Sequence, residues 1–402
     1  MDIPETPLGF RFGSAASNMR FRDRDDVALI TCEPSAVWAG MFTTSTAAGA
    51  PVLLARDRLA AGGPVRAVLV NAGIANAGTG RRGIRDAREV ADLTARELGA
   101  EVDEVLCAST GWIGERLDLD CLREVMPELV ADLSPEGPDR AARAIMTSDS
   151  VPKLAGATCR IDGRRVRLLG FAKGSGMVSP SMATLLAFLL TDAACDRRFL
   201  QVALEETVAE SFNALSIDGE MSTSDMVLLL ASGAAETGAL SRRHPDAGEF
   251  RRALRELALN LTRQLARDGE GATKQVTVTV REAEDRSEAR RAVDALIRSF
   301  LLRTAVAGSS PAWSRIVSIL GAARIPFEVE DLNVRFGETD LVVGGTHQGA
   351  AAEAAVREHL AGEEVHLVVS LARGTGTFSG YTCDLTPASC EENMNPPLPP
   401  PE

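Results

Sequence analysis

Short apolar runs separated by turn residues dominate the first third of the chain, whereas later stretches repeat an apolar residue every three or four positions. The runs 27–31, 37–42, 51–54 and 67–71 have the length and β-rich content of strands. Residues 71–80, NAGIANAGTG, are too rich in Gly and Asn for an element interior and predict a loop leading into a helix over 84–98. A strand at 104–109 then empties into the loop Thr110-Gly111-Trp112-Ile113-Gly114, and a helix at 118–133 follows. A short helical piece, 139–145, ends at the hydroxyl-rich loop 146–150. Strands at 155–161 and 165–172 deliver the chain to its most distinctive stretch.

That stretch, Lys173 to Asp192, reads KGSGMVSPSMATLLAFLLTD. A Gly- and Ser-rich loop runs into Ser181-Met182-Ala183-Thr184, and the apolar run 185–190 begins directly after the threonine. A hydroxyl therefore stands at the mouth of a buried strand. Beyond it the pattern is α/β: helix 196–212, loop 213–224, strand 225–231, helix 246–267, strand 275–280, helical periodicity over 286–301 and a helix at 351–360. The tail from residue 393, NMNPPLPPPE, is proline-dense and predicts an extended end. Nothing repeats at a fixed period, and no other linker-like segment divides the chain.

With 402 residues, 45% hydrophobic and 25% charged, the composition is that of a globular protein with a sizeable core. Aromatics are only 4%, so Leu, Val and Ala must fill the interior. A net charge of -13 opposes nonspecific attraction to nucleic acid or an anionic membrane surface. No apolar stretch approaches a membrane span, and the start, MDIPETPLGFRFGS, lacks the basic and apolar regions of a signal peptide. The expectation is a cytoplasmic protein working on small molecules. Seven cysteines occur singly, without a C-x-x-C pair, which argues for buried free thiols rather than disulfides or a thiolate zinc site. The four histidines, all after residue 243, lack metal-ligand spacing, so no metal is expected.

A threonine hydroxyl attacks an amide only with a base within hydrogen-bond reach. Histidine is the common one, but the chain can also make its own. If the bond between Ala183 and Thr184 is cut, the new α-amine of Thr184, with an ordinary pKa of about 7.7 to 8.0, becomes the base for its own hydroxyl. The cut can be intramolecular, with Thr184 Oγ attacking the Ala183 carbonyl to give an ester that water hydrolyses. On residue types alone, the plainer reading is an ordinary strand boundary.

The run KGSGMVSPSMATLLAFLLTDA resembles the self-cleaving motif of the ornithine acetyltransferase family, also called glutamate N-acetyltransferase, of arginine biosynthesis. The likeness extends to Ser109-Thr110-Gly111-Trp112-Ile113-Gly114, similar to the family's oxyanion-hole loop, and Met146-Thr147-Ser148-Asp149, similar to its substrate loop. DGEMSTSD at 218–225, DGEGATK at 268–274, the segment 304–315 and Cys383-Asp384-Leu385-Thr386 follow in the family's order. The resemblance covers roughly residues 8 to 393. It implies a layered sandwich of mixed and antiparallel sheets flanked by helices, of the kind used by self-cleaving N-terminal-nucleophile enzymes. It also implies a first chain, 1–183, and a second chain, 184–402, assembling as an α2β2 heterotetramer. Thr184 would be the nucleophile and Thr110 and Gly111 the oxyanion hole, with Thr147, Lys173, Thr184, Glu270 and Asn393 binding substrate. By charge, Lys173 suits a substrate α-carboxylate and Glu270 the ammonium of ornithine. No cofactor is implied, although some family members accept acetyl-CoA as donor.

Several positions depart from the family pattern: Ile74 and Ser181 stand where asparagines are usual, and Glu220, Met221 and Ser224 alter the acidic loop. The usual terminal threonine, a few residues after Asn393, is replaced by Met394-Asn395-Pro396-Pro397-Leu398. These changes bear on amino-acid specificity more than on acyl chemistry. Three alternatives stand beside acetyl transfer: a relative acting on another acylated amino acid, a self-cleaving aminopeptidase or amidohydrolase of similar fold, and a non-catalytic amino-acid binder.

Overall fold

The computed structural model describes residues 3–179 and 185–395. Eight strands make the first sheet: β1 (Phe10–Ala15), β2 (Val27–Phe42), β3 (Val65–Ile74), β4 (Val105–Trp112), β5 (Lys153–Ile161), β6 (Arg164–Lys173), β7 (Leu186–Thr191) and β8 (Met226–Ala231). Their order is β4-β3-β2-β8-β7-β6-β5, with β1 paired to β2. The β3/β4 and β7/β8 pairs are parallel and the others antiparallel. Around it lie α1 (Ala50–Ala61), α2 (Gly80–Leu98), α3 (Leu119–Ala131), α4 (Pro138–Ala144), α5 (Arg197–Glu210) and α6 (Ala247–Arg267).

The central strands β7, LAFLLT, and β8, MVLLLA, are buried at every position, which is why they read as unbroken apolar runs. Alternate residues serve opposite faces. Leu186, Phe188 and Leu190 join Phe12, Phe171 and Leu228 in a core closed by α1 and α4. Ala187 and Leu189 join the apolar stripe of α6, Leu254, Leu257 and Leu261. That stripe belongs to a core that continues into a second sheet of β9 (Gln275–Ala283), β10 (Asn333–Phe336), β11 (Thr339–Val343), β12 (Thr346–His347), β13 (Glu364–Ser370) and β14 (Gly376–Cys383), in the order β12-β11-β10-β13-β9-β14. Helices α7 (Arg286–Ile297), α8 (Phe300–Ala307), α9 (Trp313–Ala322), α10 (Gly349–Leu360) and α11 (Pro387–Met394) complete the chain. The result is the expected mixed α/β sandwich, with α6 between the sheets, packed on β5 and β6 and also on β14 and β9.

The bond between residues 183 and 184 does not separate two bodies. Strands β7 and β8, from the later segment, lie between β2 and β6 of the earlier one. A sheet cut there would keep its central hydrogen-bond ladders. Among the described residues no helix is long and apolar enough to cross a membrane.

Several expected elements come out differently. The run 51–54 is helical, because Pro51 opens α1 after Gly49 and the helix-forming LLARDRLAA continues it to Gly62. Residues 27–42 form one strand whose pairing shifts between Thr31 and Ala36, not two strands. Parallel pairing with β4 extends β3 through Ile74, so residues 71–74 are strand rather than loop. The same pairing places Thr110, Gly111 and Trp112 inside β4. The helical stretch 286–301 is two helices, broken where Ser299 caps α8. Asn393 and Met394 end α11 instead of starting an extended tail; residues 396–402 lie outside the described residues. Of the free thiols, Cys121 is half-buried and Cys390 exposed, and the other five are buried as expected.

Phe188 is 0% exposed, with its ring centroid 5.3 Å from that of Phe171. Phe188→Ala should lower stability by about 3–5 kcal/mol, the range for removing a core phenylalanine. Denaturant unfolding checks this, and an unchanged midpoint would contradict the core placement.

Candidate active site

The C-terminal ends of two strands carry the first groups. In β4, Gly111 lies opposite Gly73 of β3 and has φ +126°; a Cβ there would sit 2.1 Å from the Gly73 carbonyl carbon. Only glycine permits so close an approach, so the backbone beside Thr110 is fixed by what the neighbouring strand excludes. Thr110 itself is buried. Strand β6 ends at Lys173, whose ammonium is also buried and donates to Thr147 Oγ1 at 2.6 Å and Thr110 Oγ1 at 3.3 Å. Three residues widely separated in sequence thus meet at one nitrogen.

Behind them runs a chain of buried charge. Asp149 lies 3.7 Å from Lys173 and accepts a hydrogen bond from Lys153 at 2.5 Å, and Lys153 also donates to Asp268. Asp149 accepts the amides of Gly174 at 2.7 Å and Thr147 at 3.1 Å, while Asp268 accepts that of Ser150 at 3.0 Å. The loop that presents Thr147 is thereby tied to the end of β6 and to the segment after α6. Burial alone would raise the Asp149 pKa, but Lys173 and Lys153 hold it well below the usual carboxylate range. Burial pushes the Lys173 ammonium below the ordinary lysine value; Asp149 opposes that shift, Lys153 adds to it, and Glu270 and Asp225 oppose it.

Glu270 is placed by its own amide, which donates to Ser175 O at 2.9 Å, and by Gly176, where a Cβ would lie 2.5 Å from the Glu270 carboxylate. Asn393 reaches it from α11, Nδ2 donating to Glu270 Oε2 at 3.1 Å and to Ser389 O at 2.8 Å. Asp225 completes the surroundings. Its Oδ1 accepts the Leu185 amide at 2.9 Å, and Oδ2 has no hydrogen-bond partner within ordinary geometry among the described residues. Burial raises this carboxyl to about 8, against the pull of the Leu185 amide and of Lys173.

Of the residues singled out from the sequence, Thr110, Gly111, Thr147 and Lys173 come together, and Glu270 with Asn393 forms a second pair whose charge acts on Lys173. Ala183 and Thr184 lie outside the described residues; the chain resumes at Leu185 on Asp225. Sequence reasoning missed Lys153, Asp268 and Asp225. A signal for the lysine was available: the chain has three lysines, Lys153, Lys173 and Lys274, among 43 basic residues, and all three are buried. Where arginine supplies nearly every cation, each lysine marks a place needing a compact ammonium with three donors. Lys274 also fits, donating to Val306 O, Ala307 O and Ser309 Oγ.

Comparison with known proteins gives a consistent result. A sequence model of the ArgJ family matches residues 11–395. The arginine biosynthesis bifunctional protein ArgJ of Geobacter sulfurreducens is 41% identical over 378 residues, covering 94% of this chain and 96% of the relative. Its counterpart in Gluconobacter oxydans is 40% identical over 383 residues, covering 95% and 90%. A crystal structure of arginine biosynthesis bifunctional protein argJ from Bacillus halodurans is 35% identical with a TM-score of 0.50, covering 52% of this chain and 97% of that one.

The raised Asp225 pKa sets a pH dependence. The folded state keeps this proton up to about 8, whereas the unfolded chain releases it near 4. Stability therefore falls as pH rises across that window, since the folded state binds the extra proton. Asp225→Asn removes the term, so its melting temperature should gain on the wild type from pH 5 to 8.5. A difference that does not change with pH would contradict the assignment.

Proposed function

Because the chain belongs to the ArgJ family, we propose that it moves an acetyl group from N2-acetylornithine to glutamate through an acetyl ester on Thr184, after self-cleavage between Ala183 and Thr184. The observation that carries this reading is the convergence of Thr110, Thr147 and Lys173 at the ends of β4 and β6, beside an anchored Leu185. Thr184 Oγ attacks the acetyl carbonyl, and its proton passes through the α-amine to the departing ornithine nitrogen. The Thr110 hydroxyl and Gly111 N–H stabilise the oxyanion, an effect of about 3–4 kcal/mol per donor. Glutamate's neutral amine then attacks the ester, the threonine oxygen regains a proton, and N-acetylglutamate leaves.

Lys173 supplies the pocket's cation, and Glu270 with Asn393 faces the substrate's side-chain end. The two product chains stay joined through the interleaved first sheet and assemble in pairs, in the cytoplasm and without a cofactor. Length supports the cut: the Bacillus halodurans chain is almost fully covered by about half of this one, 52%, as one of two product chains would be.

The test is partition. Incubated with N2-acetylornithine and glutamate, the protein should form N-acetylglutamate and ornithine, and Thr184→Ala should lose that activity. Release of free acetate whether or not glutamate is present would favour a hydrolase instead. Replacing glutamate by other amino acids tests the altered C-terminal end, and acetyl transfer to one of those alone would identify a relative with a different acceptor.

A further inference from the structure

The stretches on either side of residues 180–184 are both seated on one segment, 217–226. Before them, Val178 O accepts the amides of Ile217 at 2.8 Å and Asp218 at 3.3 Å. The Asp218 carboxylate accepts in return the amides of Met177 and, at 3.0 Å, Val178. Arg298, at the end of α7, donates to Ser179 Oγ at 2.7 Å and Gly219 O at 3.3 Å. After them, Asp225 Oδ1 accepts the Leu185 amide at 2.9 Å, and Leu185 O accepts the Met226 amide at 2.9 Å. The segment is itself anchored: Ser222 O accepts from Thr43 Oγ1 at 2.7 Å and Thr223 O from the Gly49 amide at 2.8 Å.

Asp218 is exposed, so burial does not demand its bonds; water would satisfy the same amides. Met177 has φ +54°, a left-handed conformation uncommon for a residue with a side chain. Successive amides beside such a residue form a concavity suited to an anion, and the Asp218 carboxylate fills it. The substrate-site groups just upstream are fixed by other means, Gly174 by Asp149 and Ser175 by the Glu270 amide. Losing the Asp218 grip therefore frees residues 177–179 while leaving 173–176 held.

Resting on the self-cleavage in the proposed function, we propose that Asp218 and Arg298 are positioning residues for that cleavage: with Asp225 beyond the cut, they clamp the precursor on both sides of residues 180–184 to the single segment 217–226. In the step they serve, Thr184 Oγ bonds to the Ala183 carbonyl carbon, the C–N bond breaks, and the hydroxyl proton ends on the freed amine. Water then splits the ester, leaving a carboxyl group on Ala183 and the hydroxyl on Thr184. Attack on the adjacent carbonyl needs a close and aligned approach, and misplacement by about 1 Å costs on the order of 10²-fold in rate. Fixing both flanks to one anchored segment limits that misplacement before the cut. Once the bond is broken, the acetyl-transfer groups no longer depend on the Asp218 grip.

The test follows newly synthesised full-length chain into its two fragments on a denaturing gel, for the wild type, Asp218→Ala, Asp218→Asn and Arg298→Met. It then measures kcat and KM for acetyl transfer per mole of cleaved enzyme, with the melting temperature of each variant. Asp218→Ala should slow cleavage on the order of 10²-fold, while the fraction that is cut keeps kcat and KM near those of the wild type. Asp218→Asn, whose side-chain oxygen still accepts an amide, should cleave at an intermediate rate, and Arg298→Met should slow cleavage too. Cleavage of Asp218→Ala at the wild-type rate overturns the proposal. So does a parallel fall in cleavage, kcat and melting temperature, which would make Asp218 a structural residue only. Should Asp218→Ala fail to fold, Asp218→Asn and Arg298→Met decide the question by the same readouts. A wild type that transfers acetyl groups without being cut refutes the cleavage in the proposed function itself, whereas a wild type that cuts normally beside variants that cut equally fast refutes this inference alone.

Discussion

Lys153 lies fully buried between Asp149 and Asp268, and Asp149 in turn faces Lys173. Charges taken out of water are tolerated only when paired and when their remaining hydrogen-bond positions are filled. Both carboxylates meet that condition through backbone amides, Asp149 from Thr147 and Gly174 and Asp268 from Ser150. The loop carrying Thr147, the end of β6 and the segment leading to Glu270 are consequently fixed relative to one another. Geometry of this kind favours catalysis, because hydrogen-bond donors held in advance need not reorganise during reaction.

The same set spans the proposed cut, with Asp149, Lys153 and Lys173 before it and Asp268 after it. The first sheet does likewise, since β7 and β8 pair with strands from the other segment on both sides. Strong pairing on either side of residues 180–184 is the condition under which a peptide bond can be broken without the halves separating. On the far side, Asp225 holds the Leu185 amide with a carboxyl that stays largely protonated near neutral pH.

Much of this was legible in the sequence wherever the signal was local. The runs of β5 to β8 and the stripe of α6 appeared as apolar patterns, and the motifs around Thr110, Thr147, Lys173, Glu270 and Asn393 carried the family resemblance. What escaped depends on partners far away in sequence. Thr110 and Gly111 look like loop residues until β3 pairs alongside them. Residues 51–54 look like a strand until Gly49 and Pro51 are weighed as a helix start. Lys153 resembles any lysine at a strand end; only the scarcity of lysine in this chain sets it apart, and only folding brings Asp268 to it.

The central claim is that Thr184 is a freed, amine-bearing nucleophile, and an intact-mass spectrum of the purified protein tests it most directly. The account predicts two polypeptides, residues 1–183 and 184–402, the second gaining one acetyl group on Thr184 when N2-acetylornithine is added without an acceptor. A single uncut chain in a preparation that transfers acetyl groups, or an active second chain that never carries the acetyl, would contradict it.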